Sequence, residues 1–266
     1  MPFLSHDGIE LYYEQHGSGP PLLLIAGLAS DSQSWLPVVA ALAQQFTVIL
    51  PDNRGVGRST QECIISVELM AHDCAALIHH LGHGQVAVAG HSMGGMVAMA
   101  LARRYPQVVE RLLLVATTAR NLVRNNLLFC DWADQLETGQ DRTVWYRTIL
   151  SWILTEQFFD NRQLLDATLI YLLSYPWPQS PAAFRQQVQA IAAFDATPWL
   201  RELAMPTRVL AAEQDILMPL EYAECLARQI SGASLGIIKA AAHSLHTEQP
   251  QAFSTAVTDF LSKRPN

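Results

Sequence analysis

The chain has 266 residues, half of them apolar, with 17 Lys and Arg against 24 Asp and Glu and a formal net charge of −7. Only 15% of residues are charged, Gly and Pro number 14 each, and no Lys/Arg run is present. This composition excludes intrinsic disorder and a collagen-like repeat, and it lacks the electrostatic footprint of a protein that binds along a nucleic-acid backbone. The length suits one large α/β domain, or one carrying an insertion, better than two independent domains.

Residues 1–17 contain no basic start, no long apolar core and no small-residue cleavage site, so no signal peptide is expected. The longest apolar stretches, residues 22–29 and 96–102, fall far short of the roughly 20 residues of a bilayer span. Cys63, Cys74, Cys130 and Cys225 lack CxxC spacing and read as buried free thiols in a reducing cytoplasm. A cytoplasmic protein without a membrane span is therefore expected.

Residues 9–15 and 21–26 read as strands, and the glycine-rich turn over residues 16–20 predicts a hairpin between them. Trp35, Val38, Val39 and Leu42 recur at helical spacing within residues 35–45, and residues 46–50 follow as an apolar strand. A turn-rich loop, Asp52-Asn53-Arg54-Gly55-Val56-Gly57-Arg58-Ser59, leads to a predicted helix over residues 67–80, closed by Leu81-Gly82. Residues 86–89 read as a strand and residues 94–105 as a helix that Pro106 stops. A second all-apolar strand covers residues 112–116. The tail reads strand 207–211, helix 222–230, strand 235–238 and helix 250–261.

Apolar strands alternating with helices predict an α/β architecture, a mostly parallel twisted sheet with helices on both faces. Between residues 120 and 200 only helical segments are found, so residues 1–120 and 201–266 are expected to form the core and residues 121–200 a helical cap. Five of the six tryptophans, Trp132, Trp145, Trp152, Trp177 and Trp199, lie in that insertion. Such bulk either covers a ligand or makes the cap's own core.

Gly90-His91-Ser92-Met93-Gly94 follows a strand directly and opens a helix, the context that a G-x-S-x-G nucleophile turn requires. A turn this tight excludes side chains two positions either side of the serine, and the helix N-terminus beside it favours a developing oxyanion. A serine hydroxyl needs a base, and the base needs an orienting acid. The histidines downstream of Ser92 are His243 and His246. His243, in a small-residue loop just past a strand, is the expected base, and His246 is expected to face solvent or cap a helix. Asp215, a short loop beyond strand 207–211, is the expected acid in preference to Glu213. His72, His79, His80 and His83 read as helix-end histidines rather than metal ligands, because no facing carboxylate or cysteine accompanies them in the pattern.

These residues together resemble the α/β-hydrolase superfamily over nearly the whole chain. Residues 52–59 resemble the D-x-R-G-x-G-x-S loop of its capped, small-molecule branch. His243, Glu248 and Pro250 resemble that branch's H-x-x-x-x-E-x-P ending. The resemblance implies an oxyanion hole from the backbone N–H groups of Leu28 and Met93. Two departures are Ala26-Gly27, where many relatives carry His-Gly, and Ala242, where glycine often precedes the histidine. Ser92 argues against haloalkane dehalogenases and epoxide hydrolases, which carry a carboxylate at the turn. The chain is similar to 3-oxoadipate enol-lactonase-like and carboxylesterase-like serine hydrolases. The expected activity is cleavage of a small ester or lactone through an acyl-enzyme, with no cofactor and no metal. A carbon–carbon bond hydrolase or cofactor-free haloperoxidase would use the same three residues, and a slow-turnover ligand receptor the same fold.

Overall fold

The computed structural model describes residues 2–262. Strand β1 (Phe3–His6) returns into β2 (Ile9–His16) through Asp7-Gly8, whose φ angles of 47° and 78° are both left-handed, as a two-residue type I′ turn requires. After β3 (Pro21–Ile25) a 3₁₀ turn (Ser32–Trp35) runs into helix α1 (Leu36–Leu42), and β4 (Thr47–Pro51) follows.

The expected hairpin between the second and third of these strands does not form. β2 pairs antiparallel with β4, and β4 separates it from β3, to which β4 is parallel. The physical reason lies in residues 16–20, which form a crossing rather than a tight turn. A Cβ on Gly17 would stand 2.2 Å from Ala43 O, and one on Gly19 2.3 Å from Gln45 O, so those glycines let the chain pass against the end of α1.

Helix α2 (Val67–His80) starts at Ser66, whose hydroxyl accepts from Leu69 N at 3.1 Å, and ends before Gly82 at φ 73°. Then come β5 (Val86–His91), α3 (Met93–Arg104) and β6 (Val109–Val115). Five helices separate β6 from the next strand: α4 (Val123–Glu137), α5 (Arg142–Ile153), α6 (Glu156–Asp160), α7 (Arg162–Leu173) and α8 (Pro181–Ala193). The chain closes with β7 (Thr207–Ala212), α9 (Leu220–Gln229), β8 (Ser234–Ile238), the short α10 (Leu245–Glu248) and α11 (Pro250–Leu261).

The sheet order is β1-β2-β4-β3-β5-β6-β7-β8, parallel from β4 to β8. Alternate strand residues supply two cores, as the period-2 geometry of a strand dictates. Leu23, Ile25, Val88, Leu112, Leu114 and Val209 face α2, α3 and α9. Leu22, Leu24, Ala89, Leu113, Val115 and Leu210 face α1 and α11. All of these are essentially free of solvent, which is why the strands read as unbroken apolar runs.

The insertion divides in two. α4 and α8 pack on each other and join the first core through Phe129, Trp132, Phe184 and Val188. α5, α6 and α7 build a small separate cluster around Leu150, Leu165 and Leu169. Among the described residues no helix is long and apolar enough to cross a membrane. The four cysteines are unpaired, with Cys74 buried, Cys63 and Cys130 half-buried and Cys225 exposed, so only Cys74 fits the expectation of a buried thiol.

Candidate active site

The turn between β5 and α3 holds Ser92 at φ 54° and ψ −117°, a backbone that L-residues adopt only when their surroundings enforce it. Ser92 N donates to Val115 O at 2.9 Å, and its carbonyl accepts from the Thr117 hydroxyl at 2.7 Å and from Gly95 N at 2.9 Å. The flanking glycines follow from contact distances. A Cβ on Gly90 would meet Gly94 O at 2.1 Å, and one on Gly94 would meet Ile25 O at the same distance. The end of β3 and the first turn of α3 therefore press on the turn that holds the serine.

β7 and β8 carry the other two expected residues. Asp215 is fully buried in the loop after β7, and its Oδ1 accepts from Leu217 N at 2.9 Å and Met218 N at 2.8 Å. Its Oδ2 lies 2.9 Å from His243 Nδ1, so the carboxylate fixes the tautomer that leaves Nε2 without its proton. Glu213 turns away and accepts from Ala240 N at 3.1 Å. Ser92 and His243 line one cavity of about 1180 Å³ with Gly27 and Leu28. Among the described residues no hydrogen bond joins Ser92 Oγ to His243 Nε2.

Of the backbone groups expected as donors, Leu28 lines the same cavity and Met93 directly follows Ser92. Met93 is the first residue of α3, so its N–H has no intrahelical acceptor. Leu28 N, in the turn closed by Ser30 N to Gly27 O at 3.3 Å, has no acceptor among the described residues. The loop over residues 52–59 supports this turn from behind. Asn53 Nδ2 donates to Ala26 O at 3.2 Å, and Asp52 accepts from Ser32 N at 3.0 Å and Arg58 N at 2.9 Å. Arg54 is paired with the buried Asp73 by two bonds of 2.6 Å. Glu248 holds the histidine loop and the insertion together, accepting from Ala242 N at 2.8 Å and from Thr155 N and hydroxyl at 2.8 and 2.7 Å.

Three participants were not visible as such in the sequence. His246 is buried rather than solvent-facing, which corrects the expectation for it. Its ring lies 4.5 Å from that of Trp35 and 4.7 Å from that of His91. Burial, with the neighbouring His243, pushes its pKa down to about 3, and burial likewise depresses His91 well below the usual range, so both rings are neutral. His91 Nε2 lies 2.9 Å from His243 O and ties the histidine loop to the turn that holds Ser92. Gln187, on α8 and wholly buried, accepts from Ala29 N at 3.1 Å, and Ala29 itself sits at φ 56° beside Leu28. No sequence pattern announces a contact that spans so many residues.

Of the insertion tryptophans, Trp132 and Trp145 line the cavity with Tyr146, Ile149 and Phe158. Trp152 lies under Arg124, Trp177 beside Arg58 and Trp199 beside Arg103.

This arrangement has counterparts among known proteins. A family model for the alpha/beta hydrolase fold matches residues 20–250. The chain belongs to that family. A relative from Caulobacter sp. (strain K31), provisionally named carbamate hydrolase RutD, is 30% identical over 95% of this chain and 96% of its own length. A thermophilic esterase from Thermogutta terrifontis superposes with a TM-score of 0.85 at 30% identity, covering 97% of this chain and 96% of that one. The enol-lactonase from Burkholderia xenovorans LB400 gives a TM-score of 0.89 at 26% identity, covering 98% of this chain and 100% of that one. This member of the α/β hydrolase family is thus an enzyme with hydrolase relatives along its full length.

Proposed function

We propose that this hydrolase cleaves a small carboxylic ester or lactone by acyl transfer to Ser92. The observation that carries the reading is the buried Asp215–His243 pair at 2.9 Å, opening on the same cavity wall as Ser92 and the free Leu28 N–H. In the proposed sequence Ser92 Oγ attacks the acyl carbonyl while His243 Nε2 takes the hydroxyl proton. Asp215 holds Nδ1–H and stabilises the imidazolium that forms. The N–H groups of Leu28 and Met93 receive the oxyanion, an effect worth about 100- to 1,000-fold per donor. His243 then returns the proton to the leaving alcohol, and a water molecule activated by the same ring releases the acid. The hydroxyl and imidazole close to hydrogen-bonding distance in the substrate complex, as catalytic contacts commonly do.

Every role is filled by a protein group, so the proposal needs neither cofactor nor metal. Residues 121–200 serve in it as the cap, and their aromatic lining favours an apolar acyl or aryl group. The esterase and enol-lactonase neighbours support an acyl–oxygen bond as the target. The test is hydrolysis of a chain-length series of p-nitrophenyl esters, with a lactone and a carbamate in parallel, by wild type and His243→Ala. Turnover of an ester or lactone that His243→Ala abolishes is expected. Carbamate turnover alone, or none by folded wild type, overturns the reading.

A further inference from the structure

The far side of the molecule carries a second cluster of chemically capable side chains that the proposed reaction does not use. His72 lies in mid-α2 rather than at a helix end, and it faces the β1–β2 turn. Its Nε2 is 3.2 Å from Asp7 Oδ2, and His6 Nε2 is 3.6 Å from the same oxygen. The two imidazoles stand 4.8 Å apart, and all three donor atoms lie within 4.8 Å of one another. The pattern of α2 alone shows no facing ligands because both come from the edge hairpin, more than sixty positions earlier in the chain.

We propose that His6, Asp7 and His72 form a binding site for a divalent transition metal of the zinc class. Two donors bound to zinc at a tetrahedral angle stand ~3.4 Å apart, and the two Asp7 edges of 3.2 and 3.6 Å bracket that value. Two neutral imidazoles and one carboxylate suit zinc, nickel or copper rather than magnesium or calcium, with water completing the shell. His6 Nε2 is buried with no hydrogen-bond partner among the described residues, so one ligand atom is already stripped of solvent and aimed at its neighbours.

An outer partner is also in place. His72 Nδ1 is 2.6 Å from the Tyr105 hydroxyl. In the metal-free site Nε2–H donates to the Asp7 carboxylate and Nδ1 accepts from Tyr105. On binding, Nε2 gives up its proton to become the ligand, and Nδ1–H donates to the hydroxyl, which serves either tautomer. Ser92 stands at the N-terminus of α3 and Tyr105 at its C-terminus, and twelve helical residues at 1.5 Å each put ~18 Å between the two sites. A bound ion would pin the edge hairpin to α2 and leave the cavity untouched.

The test is calorimetric titration of Zn²⁺ alone into the full chain, with thermal unfolding followed in parallel. Wild type is expected to bind one equivalent that raises Tm, and Asp7→Asn and His72→Ala to lose both effects. Asp7 is exposed and Asn tolerates the left-handed turn, so Asp7→Asn retains the fold, checked by its metal-free Tm. Tyr105→Phe is expected to weaken binding about 10-fold, as removal of an outer partner does. His79→Ala and Cys225→Ser should bind as wild type. Absence of a one-equivalent site in wild type, or its survival in Asp7→Asn and His72→Ala, overturns the proposal.

Discussion

On the cavity floor, Ser92, Asp215 and His243 follow β5, β7 and β8, where tight backbone contacts hold the Ser92 turn and buried hydrogen bonds hold the Asp215–His243 pair. The roof over them, α5 to α7, rests on a cluster with three buried members, Leu150, Leu165 and Leu169. The floor is held by a core that includes Leu23, Val88, Leu112 and Val209, all without solvent exposure. The difference teaches where each property resides. In the proposed reaction chemistry demands fixed geometry and sits at the sheet's strand ends, whereas selection among substrates needs only a wall of suitable size and sits on the thinly supported helices. Glu248 joins the two, since one carboxylate accepts from Ala242 N in the histidine loop and from Thr155 at the start of α6.

Variants that strike the floor should therefore abolish turnover without unfolding the chain, and variants of the roof should change preference first. The largest expected effect is that of Asp215→Asn, which presents the wrong tautomer of His243 and lowers kcat/KM by about 10⁴-fold in steady-state ester hydrolysis. A loss below about 10-fold would remove Asp215 from the orienting role. On the roof, Ile149→Trp should shorten the cavity. A fall of about 10- to 100-fold with the longest accepted acyl chain, and little change with acetyl, is expected from a chain-length series. Equal losses at every length would mean that the roof also sets the geometry of the floor.

Gln187→Ala probes the hydrogen bond from α8 to the turn that carries the proposed oxyanion donor Leu28. Loss of the bond to Ala29 N should lower kcat about 3- to 10-fold with KM nearly constant, the signature of an interaction felt mainly in the transition state. A lowered Tm with unchanged kcat would make Gln187 a packing residue only.

The remaining effect falls on stability rather than on rate. His246 binds a proton in the unfolded chain near pH 6.5 but in the folded one only at about 3. Stability is therefore present above the unfolded value and drains away as pH falls through that window, by about 1.4 kcal/mol per pH unit for this group. Urea unfolding of His246→Phe between pH 6 and 4 should show a slope smaller by that amount. An unchanged slope would place the acid sensitivity elsewhere.

The same contrast governs what the amino-acid pattern makes legible. The turn that holds Ser92 is readable because sterics leave no choice at Gly90 and Gly94, and the parallel strands because both their faces are apolar. Asp215 and His243 are readable from their places beyond strand ends. The misassigned hairpin shows the limit. Gly17 and Gly19 signal a turn equally well whether the chain doubles back or crosses over β4, and only the partner strand decides between them. His246 reads as a solvent-facing or capping residue from its place near the closing helix, and the Trp35 ring that helps to bury it comes from the other end of the chain. Gln187 has no periodic or motif signal at all, and its role comes entirely from a tertiary contact.

The most direct test of the central claim is mass spectrometry of the peptide bearing Ser92 after brief reaction with a phosphonate ester probe, for wild type, Ser92→Ala and His243→Ala. A single adduct on Ser92 in wild type, absent from Ser92→Ala and strongly slowed in His243→Ala, is the predicted result. Labelling at another residue, or labelling of Ser92 at an equal rate without His243, would contradict the account.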